Sequence, residues 1–182
     1  IAHKRVIIYN HCVMHYFYKL DNVIQNYSWG SRHHIQNILG KKSTEPMAEV
    51  WMGAHPKAPS LVQVKEKKIP LDSLIESNPS LFLGEKVSKH YPALPYLFKL
   101  LAAEEPLSIQ AHPSLEQAKE GWEKENSNGI PIDSAQRNYK DANHKPELLA
   151  ALSPFRAMCG FRNITEIKKL FSLFAAPLST EI

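Results

Sequence analysis

Eight residues bounded by proline, Pro106-Leu-Ser-Ile-Gln-Ala-His-Pro113, constrain the fold more than any other stretch. Apolar and polar side chains alternate strictly between the prolines, and side chains on a strand project to opposite faces with period two. Leu107, Ile109 and Ala111 share one face; Ser108, Gln110 and His112 share the other. The alternation predicts a strand, paired as a hairpin with residues 94–102 across a turn at 103–106. Hydroxyl, amide and imidazole then rise in one row, about 6.5 Å per residue pair. Such a row is either the wet outer face of an antiparallel sheet or the donor row of a metal or sugar site.

Further short strands are expected over 19–27, 47–53, 60–64 and 155–161, with a lysine-rich turn at 65–68. Helices are expected over 31–39, 71–76, 79–90, from 114 to about 126 and over 163–174. Several carry end signals: Ser31 as an N-cap, Gly40 as a left-handed stop, Asn78-Pro79 as a cap before proline, and the Ser114-Leu-Glu-Gln117 capping box. Trp122 recurs at helical spacing with Leu115 and Ala118 and reads as core. In the last helix Ile164, Ile167, Leu170, Phe171 and Phe174 share one face. Many short strands interrupted by prolines, with helices at the ends, indicate a mainly β sandwich or open barrel.

With 182 residues, the chain holds one domain, or one domain and the beginning of another. Net charge is +4, but basic residues are interleaved with acids rather than gathered on one face, which argues against nucleic acid. No apolar run approaches the roughly 20 residues of a membrane-spanning helix. Cys12 and Cys159 share no metal or redox spacing and read as small hydrophobes in a reducing compartment. These features point to a cytoplasmic protein. His33 and His34, adjacent on a helix, diverge by about 100° and read as exposed.

The densest charged stretch is Tyr139-Lys-Asp-Ala-Asn-His-Lys-Pro-Glu147. Alone it could be a solvated turn. Together with Gln110-x-His112, Gln25-Asn-Tyr-Ser-Trp-Gly30, Met47 to Lys57 and Leu94 to Leu100, it resembles the type I mannose-6-phosphate isomerases. That resemblance runs from about Leu20 to the end of the chain. It implies a cupin-type jelly roll followed by the start of a helical domain, and interconversion of mannose 6-phosphate and fructose 6-phosphate. It also implies one zinc ion per subunit, held by Gln110, His112 and Glu147, a mixed oxygen and nitrogen set that zinc accepts.

On the same resemblance, Lys145 and Lys99 lie near the substrate as catalytic and binding groups, and Ser108 and Trp29 line its pocket. Residues 147–152 are good helix formers, but the family carries its glutamate ligand on a strand, and a strand is expected here. Lys99 stands in an otherwise apolar strand, which suits a ligand contact or an ion pair with Glu104 or Glu105. Glu49 is either a carboxylate supporting the metal site or a surface acid, the latter slightly favoured. His144 reads as a loop histidine.

The family draws a fourth metal ligand, a histidine, and a catalytic arginine from a later stretch that residues 1–182 do not contain. The expectation is therefore an N-terminal portion, inactive alone. Its parts would be a leader over 1–13 with the native start at Met14, a cupin-like domain over 14–161, and the start of the helical domain over 162–182. The expected partner is a small phosphosugar, with no nucleic acid or membrane, and the full-length chain a monomer. A non-catalytic metal- or sugar-binding cupin is the alternative. A metal hydrolase lacks support, since no HExxH pair is present.

Overall fold

A computed structural model describes residues 17–64 and 66–173. The expected leader, Met14, Cys12 and Phe174 lie outside the described residues. The chain divides into two compact units, residues 1–109 and 110–182.

The first unit contains, in order, β1 (Leu20–Asp21), β2 (Val23–Gln25), α1 (His34–Leu39), β3 (Glu49–Met52), β4 (Leu61–Val64) and β5 (Lys67–Pro70). They are followed by α2 (Leu71–Ser77), α3 (Pro79–Leu83), α4 (Glu85–Ser88) and β6 (Phe98–Leu101). The strands form two three-stranded antiparallel sheets, ordered β1-β4-β5 and β2-β3-β6. The chain leaves one sheet and enters the other at Asn22. Asn22 Oδ1 accepts the Ser60 hydroxyl at 2.9 Å, and the Ser60 oxygen in turn accepts the Gly53 N–H at 3.1 Å.

In β3 the period-two rule separates two faces. Val50 stands opposite Ile24 of β2 and Leu100 of β6; with Ile35, Met47, Met52 and Ala102 they make the apolar core. Glu49 and Trp51 take the other face, with Trp51 opposite Lys99. Burying the apolar face is what holds the sheet against α1, at about 25 cal/mol per Å² of apolar surface removed from water.

Local signals account for most helix ends. Gly40 closes α1 at φ 62°, and Asn78 Oδ1 accepts the Leu81 N–H with Pro79 in the first turn of α3. The helix starting at Pro79 is shorter than expected. Gly84, at φ 80°, breaks it into α3 and α4, because a left-handed residue cannot continue a right-handed ladder. Strand β5 likewise begins at Lys67, inside the expected turn.

The second unit holds α5 (Leu115–Ser127) and α6 (Ile164–Leu173). Helix α5 opens with the expected capping box: the Ser114 oxygen accepts the Gln117 N–H and Gln117 returns to the Ser114 N–H. Asn163 Oδ1 accepts the Glu166 N–H at 2.9 Å and starts α6. The apolar face of α6 is largely exposed, with Ile164, Leu170, Phe171 and Leu173 all accessible. None of the helices in the described residues is long and apolar enough to cross a membrane.

Three predicted strands are not formed. Residues 107–112 adopt no ladder. The turn that would fold them back on β6 is committed elsewhere: Glu104 and Glu105 both donate their N–H groups to the Trp29 carbonyl, at 2.9 and 3.2 Å, and Pro106 has none to give. Residues 147–152 and 155–161 are exposed and unpaired, with Leu148, Leu152 and Met158 more than 80% accessible. A strand draws its stability from cross-strand neighbours, and no described segment supplies them. Cys159 is exposed, not packed as a small hydrophobe.

Candidate active site

On the polar face of the β2-β3-β6 sheet a carboxylate is buried. Glu49 is 7% exposed at its side chain, so it is not a surface acid. The register explains why it is held there. Trp51, two residues on, donates its indole N–H to Glu49 Oε2 at 2.6 Å, and Lys99, opposite Trp51, reaches Oε1 at 3.1 Å. Lys99 therefore pairs with Glu49, not with Glu104 or Glu105, and remains 35% exposed. One of its three N–H donors is used by the carboxylate.

Trp29 is half-buried and its ring stacks on Tyr27 at 5.7 Å between centroids. Its backbone carries the turn at Glu104 and Glu105, and Gly30 bridges Ala103. Ser108 is exposed. His33 and His34 are exposed, as expected, with their rings tilted against one another at 4.1 Å between centroids.

In the second unit, His112 and Glu147 come together. Although 35 residues apart in sequence, His112 Nδ1 lies 3.9 Å from Glu147 Oε2. A cavity of about 570 Å³ is lined by Ala111, His112, Asn138, Tyr139, Asp141 and Lys145 among others. Gln110 is exposed beside His112 in sequence, and His144 is an exposed loop residue. Among the described residues no group of three His, Cys, Asp or Glu side chains gathers at one point. An imidazole, a carboxylate and an amide oxygen are donor types that zinc accepts.

One feature escaped the sequence reading. Arg137 and Glu125 form a buried ion pair, Nε to Oε2 at 3.1 Å, with side chains 1% and 10% exposed. Glu125 also accepts the N–H groups of Asn138 at 3.1 Å and Tyr139 at 2.8 Å. Burial pushes the Glu125 carboxyl up, but the Tyr139 and Asn138 donors and the Arg137 charge outweigh it and hold it below the ordinary carboxylate range. Arg137 lies over the Trp122 ring at 4.6 Å, a cation–π contact on the helix face that reads as core. The only hint in the sequence was a charged residue one turn beyond Gly121 on the apolar side of α5.

A model of the phosphomannose isomerase type I catalytic domain matches residues 17–164. The mannose-6-phosphate isomerase of Escherichia coli is 52% identical over 155 residues, covering 84% of this chain and 40% of that protein. The mannose-6-phosphate isomerase of Homo sapiens is 37% identical over 164 residues, covering 82% and 36%. Among solved structures, the Salmonella typhimurium enzyme bound to its substrate fructose 6-phosphate and zinc is 47% identical with a TM-score of 0.65. That match covers 70% of this chain and 33% of that one. A mutant of the same bacterium's phosphomannose isomerase gives a TM-score of 0.67 at 46% identity, over the same shares of the two chains. The chain thus spans about 40% or less of the length of these relatives. Two antiparallel sheets with helices, matched to these structures, make the fold mainly β and cupin-like. The chain belongs to the type I phosphomannose isomerase family.

Proposed function

We propose that this chain carries the metal- and sugar-phosphate-binding part of an enzyme interconverting mannose 6-phosphate and fructose 6-phosphate. The observation that carries the reading is the approach of His112 to Glu147 beside a cavity that Lys145 also lines. Gln110, His112 and Glu147 would hold zinc. Bound there, zinc supplies a Lewis acid that stabilises negative charge on the enediol oxygens. Lys145, which lines the cavity, would serve there as a proton carrier or as an electrostatic clamp. Lys99, Ser108 and Trp29 are assigned to the substrate on the family resemblance. Glu49 holds Lys99 in place at 3.1 Å, where its positive charge would attract an anionic phosphosugar.

Following the family pattern, the fourth ligand and the catalytic arginine would come from sequence outside residues 1–182, with the helical domain beginning near residue 162. Residues 1–182 alone should then bind zinc weakly and give no measurable isomerisation. The test is a coupled assay for fructose 6-phosphate formed from mannose 6-phosphate, with zinc titrated, on residues 1–182 and on a chain of the relatives' length. Turnover by the longer chain, abolished by His112→Ala, supports the reading. Sugar binding without turnover by the longer chain favours a non-catalytic cupin.

A further inference from the structure

We propose that Glu125 and Arg137 are positioning residues: their buried pair fixes where the segment from Tyr139 to Glu147 departs from α5, and so sets Glu147 against His112. The inference rests on the metal-site reading given above. Helix α5 connects the two ends of that site. Its capped N-terminus, at Ser114, follows His112 and Pro113 directly, so the helix start and the imidazole share one short piece of backbone. Its last turns meet the returning chain at Glu125.

There the Tyr139 backbone is held at both its N–H and its carbonyl. Glu125 Oε2 takes its N–H at 2.8 Å, and Arg137 Nε donates to its carbonyl at 2.6 Å. Nη1 and Nη2 each donate once more, to the Ile130 carbonyl and to Asn126 Oδ1, both at 2.7 Å, so the guanidinium is anchored to the end of α5. A second contact is independent of charge. The Tyr139 ring occupies the space where a Cβ at Gly121, one turn before Glu125, would stand. Backbone and ring are therefore both registered on the same helix face.

Beyond Tyr139 the chain forms no helix or strand before α6. The placement of Lys145 and Glu147 thus depends on where this segment is anchored at its start. A buried carboxylate–guanidinium pair is a poor source of stability, since apolar residues of similar size often do as well. What it supplies and an apolar pair does not is direction: the guanidinium donates to the Tyr139 and Ile130 carbonyls and the carboxylate accepts the Asn138 and Tyr139 N–H groups, which together fix one register. Asn138, Tyr139 and Asp141 line the same cavity as His112 and Lys145, so an error in that register moves the cavity wall.

The test measures zinc affinity by competition with a chromogenic chelator. It also follows amide hydrogen exchange over residues 139–147 without metal, and the thermal midpoint, for the chain and for Glu125→Gln, Arg137→Lys and Gly121→Ala. Glu123→Gln, exposed on the same helix, is the control. The expected result is faster exchange at 139–147 and a loss of zinc affinity of about 10–100-fold, the range seen when residues supporting metal ligands are removed. Both should appear at temperatures where each variant is fully folded, and Glu123→Gln should change neither. In a His112→Ala background, Glu125→Gln should lower the thermal midpoint as before but cost no further zinc affinity. Unchanged zinc affinity in folded Glu125→Gln and Arg137→Lys overturns the proposal, as does equal loss in the His112→Ala background. Should the starting chain bind no zinc, the metal-site reading fails; unaltered exchange at 139–147 would then refute the clamp separately.

Discussion

Replacing Glu49 by alanine should cost about 3 kcal/mol, and the structure says how that divides. The Trp51 indole N–H loses its acceptor in a setting where Trp51 is 8% exposed. An orphaned buried donor costs roughly 1–3 kcal/mol. Lys99 loses its partner too, but at 35% exposure water takes over much of that role, so this part is worth under about 1 kcal/mol. For a chain of this size each kcal/mol lowers Tm by about 2–4 °C, giving a fall of roughly 6–12 °C. Circular dichroism melts of Glu49→Ala and Lys99→Gln make the comparison. Lys99→Gln retains an amide donor toward Glu49 and should cost less than about 1 kcal/mol, while removing the charge assigned to substrate. In the longer chain it should therefore depress turnover with little loss of Tm, whereas Glu49→Ala should depress both. A Glu49→Ala variant within about 0.5 kcal/mol of the starting protein would refute the reasoning, as would Lys99→Gln melting as low as Glu49→Ala.

Gly30→Ala should destabilise by about 1–3 kcal/mol, read from urea titration, since its Cβ would stand 2.5–2.8 Å from Ala48 backbone and side-chain atoms that have nowhere to move. Ser114→Ala removes the cap of α5 and should cost about 1 kcal/mol, with Ser114→Asp recovering most of it in the same melts. The depressed Glu125 carboxyl contributes stability that is complete above its ordinary value of 4.5 and is lost as pH falls through the lower folded value. Tm measured from about pH 6 down to about pH 3 should therefore decline less steeply below 4.5 in Glu125→Gln.

Local signals mostly held, with one miss: α1 begins at His34 with His33 in the N-cap position, not at the expected Ser31. The Ser114 box, the Asn78-Pro79 start and the Gly40 stop each concern backbone groups within one helical turn, and each is formed. The alternation in β3 likewise sorted core from polar face. Residues 107–112 show the limit of such reading: perfect alternation is compatible with a strand but does not provide a neighbour to pair with. The turn donors that should have closed the hairpin were claimed by Trp29, some 75 residues earlier in the chain. The mainly β, cupin-like class was legible from turn spacing and resemblance together. Glu125 and Arg137 were not, because a charged residue on a helix defaults to solvent unless its partner is known. That partner here lies across a loop with no periodic signal.

The Ser60 corner has a consequence for how the first unit comes apart. Ser60 is fully buried, and besides its hydroxyl contacts its backbone N–H donates to the Gly53 carbonyl while its own carbonyl accepts from Leu71. The end of β3, the start of β4 and the start of α2 therefore share one residue, and Asn22 adds the crossing between the sheets. Neither sheet can open alone without stranding these buried polar groups, each of which would be costly away from water. The six strands should accordingly melt as one cooperative block, with amides of β3 and β4 exchanging at a common opening rate. Ser60→Ala would remove the hydroxyl's share of that tie, to Asn22 and to the Gly53 N–H, while the backbone bonds remain, so the β1-β4-β5 sheet should fray somewhat ahead of the sheet that bears Glu49 and Lys99.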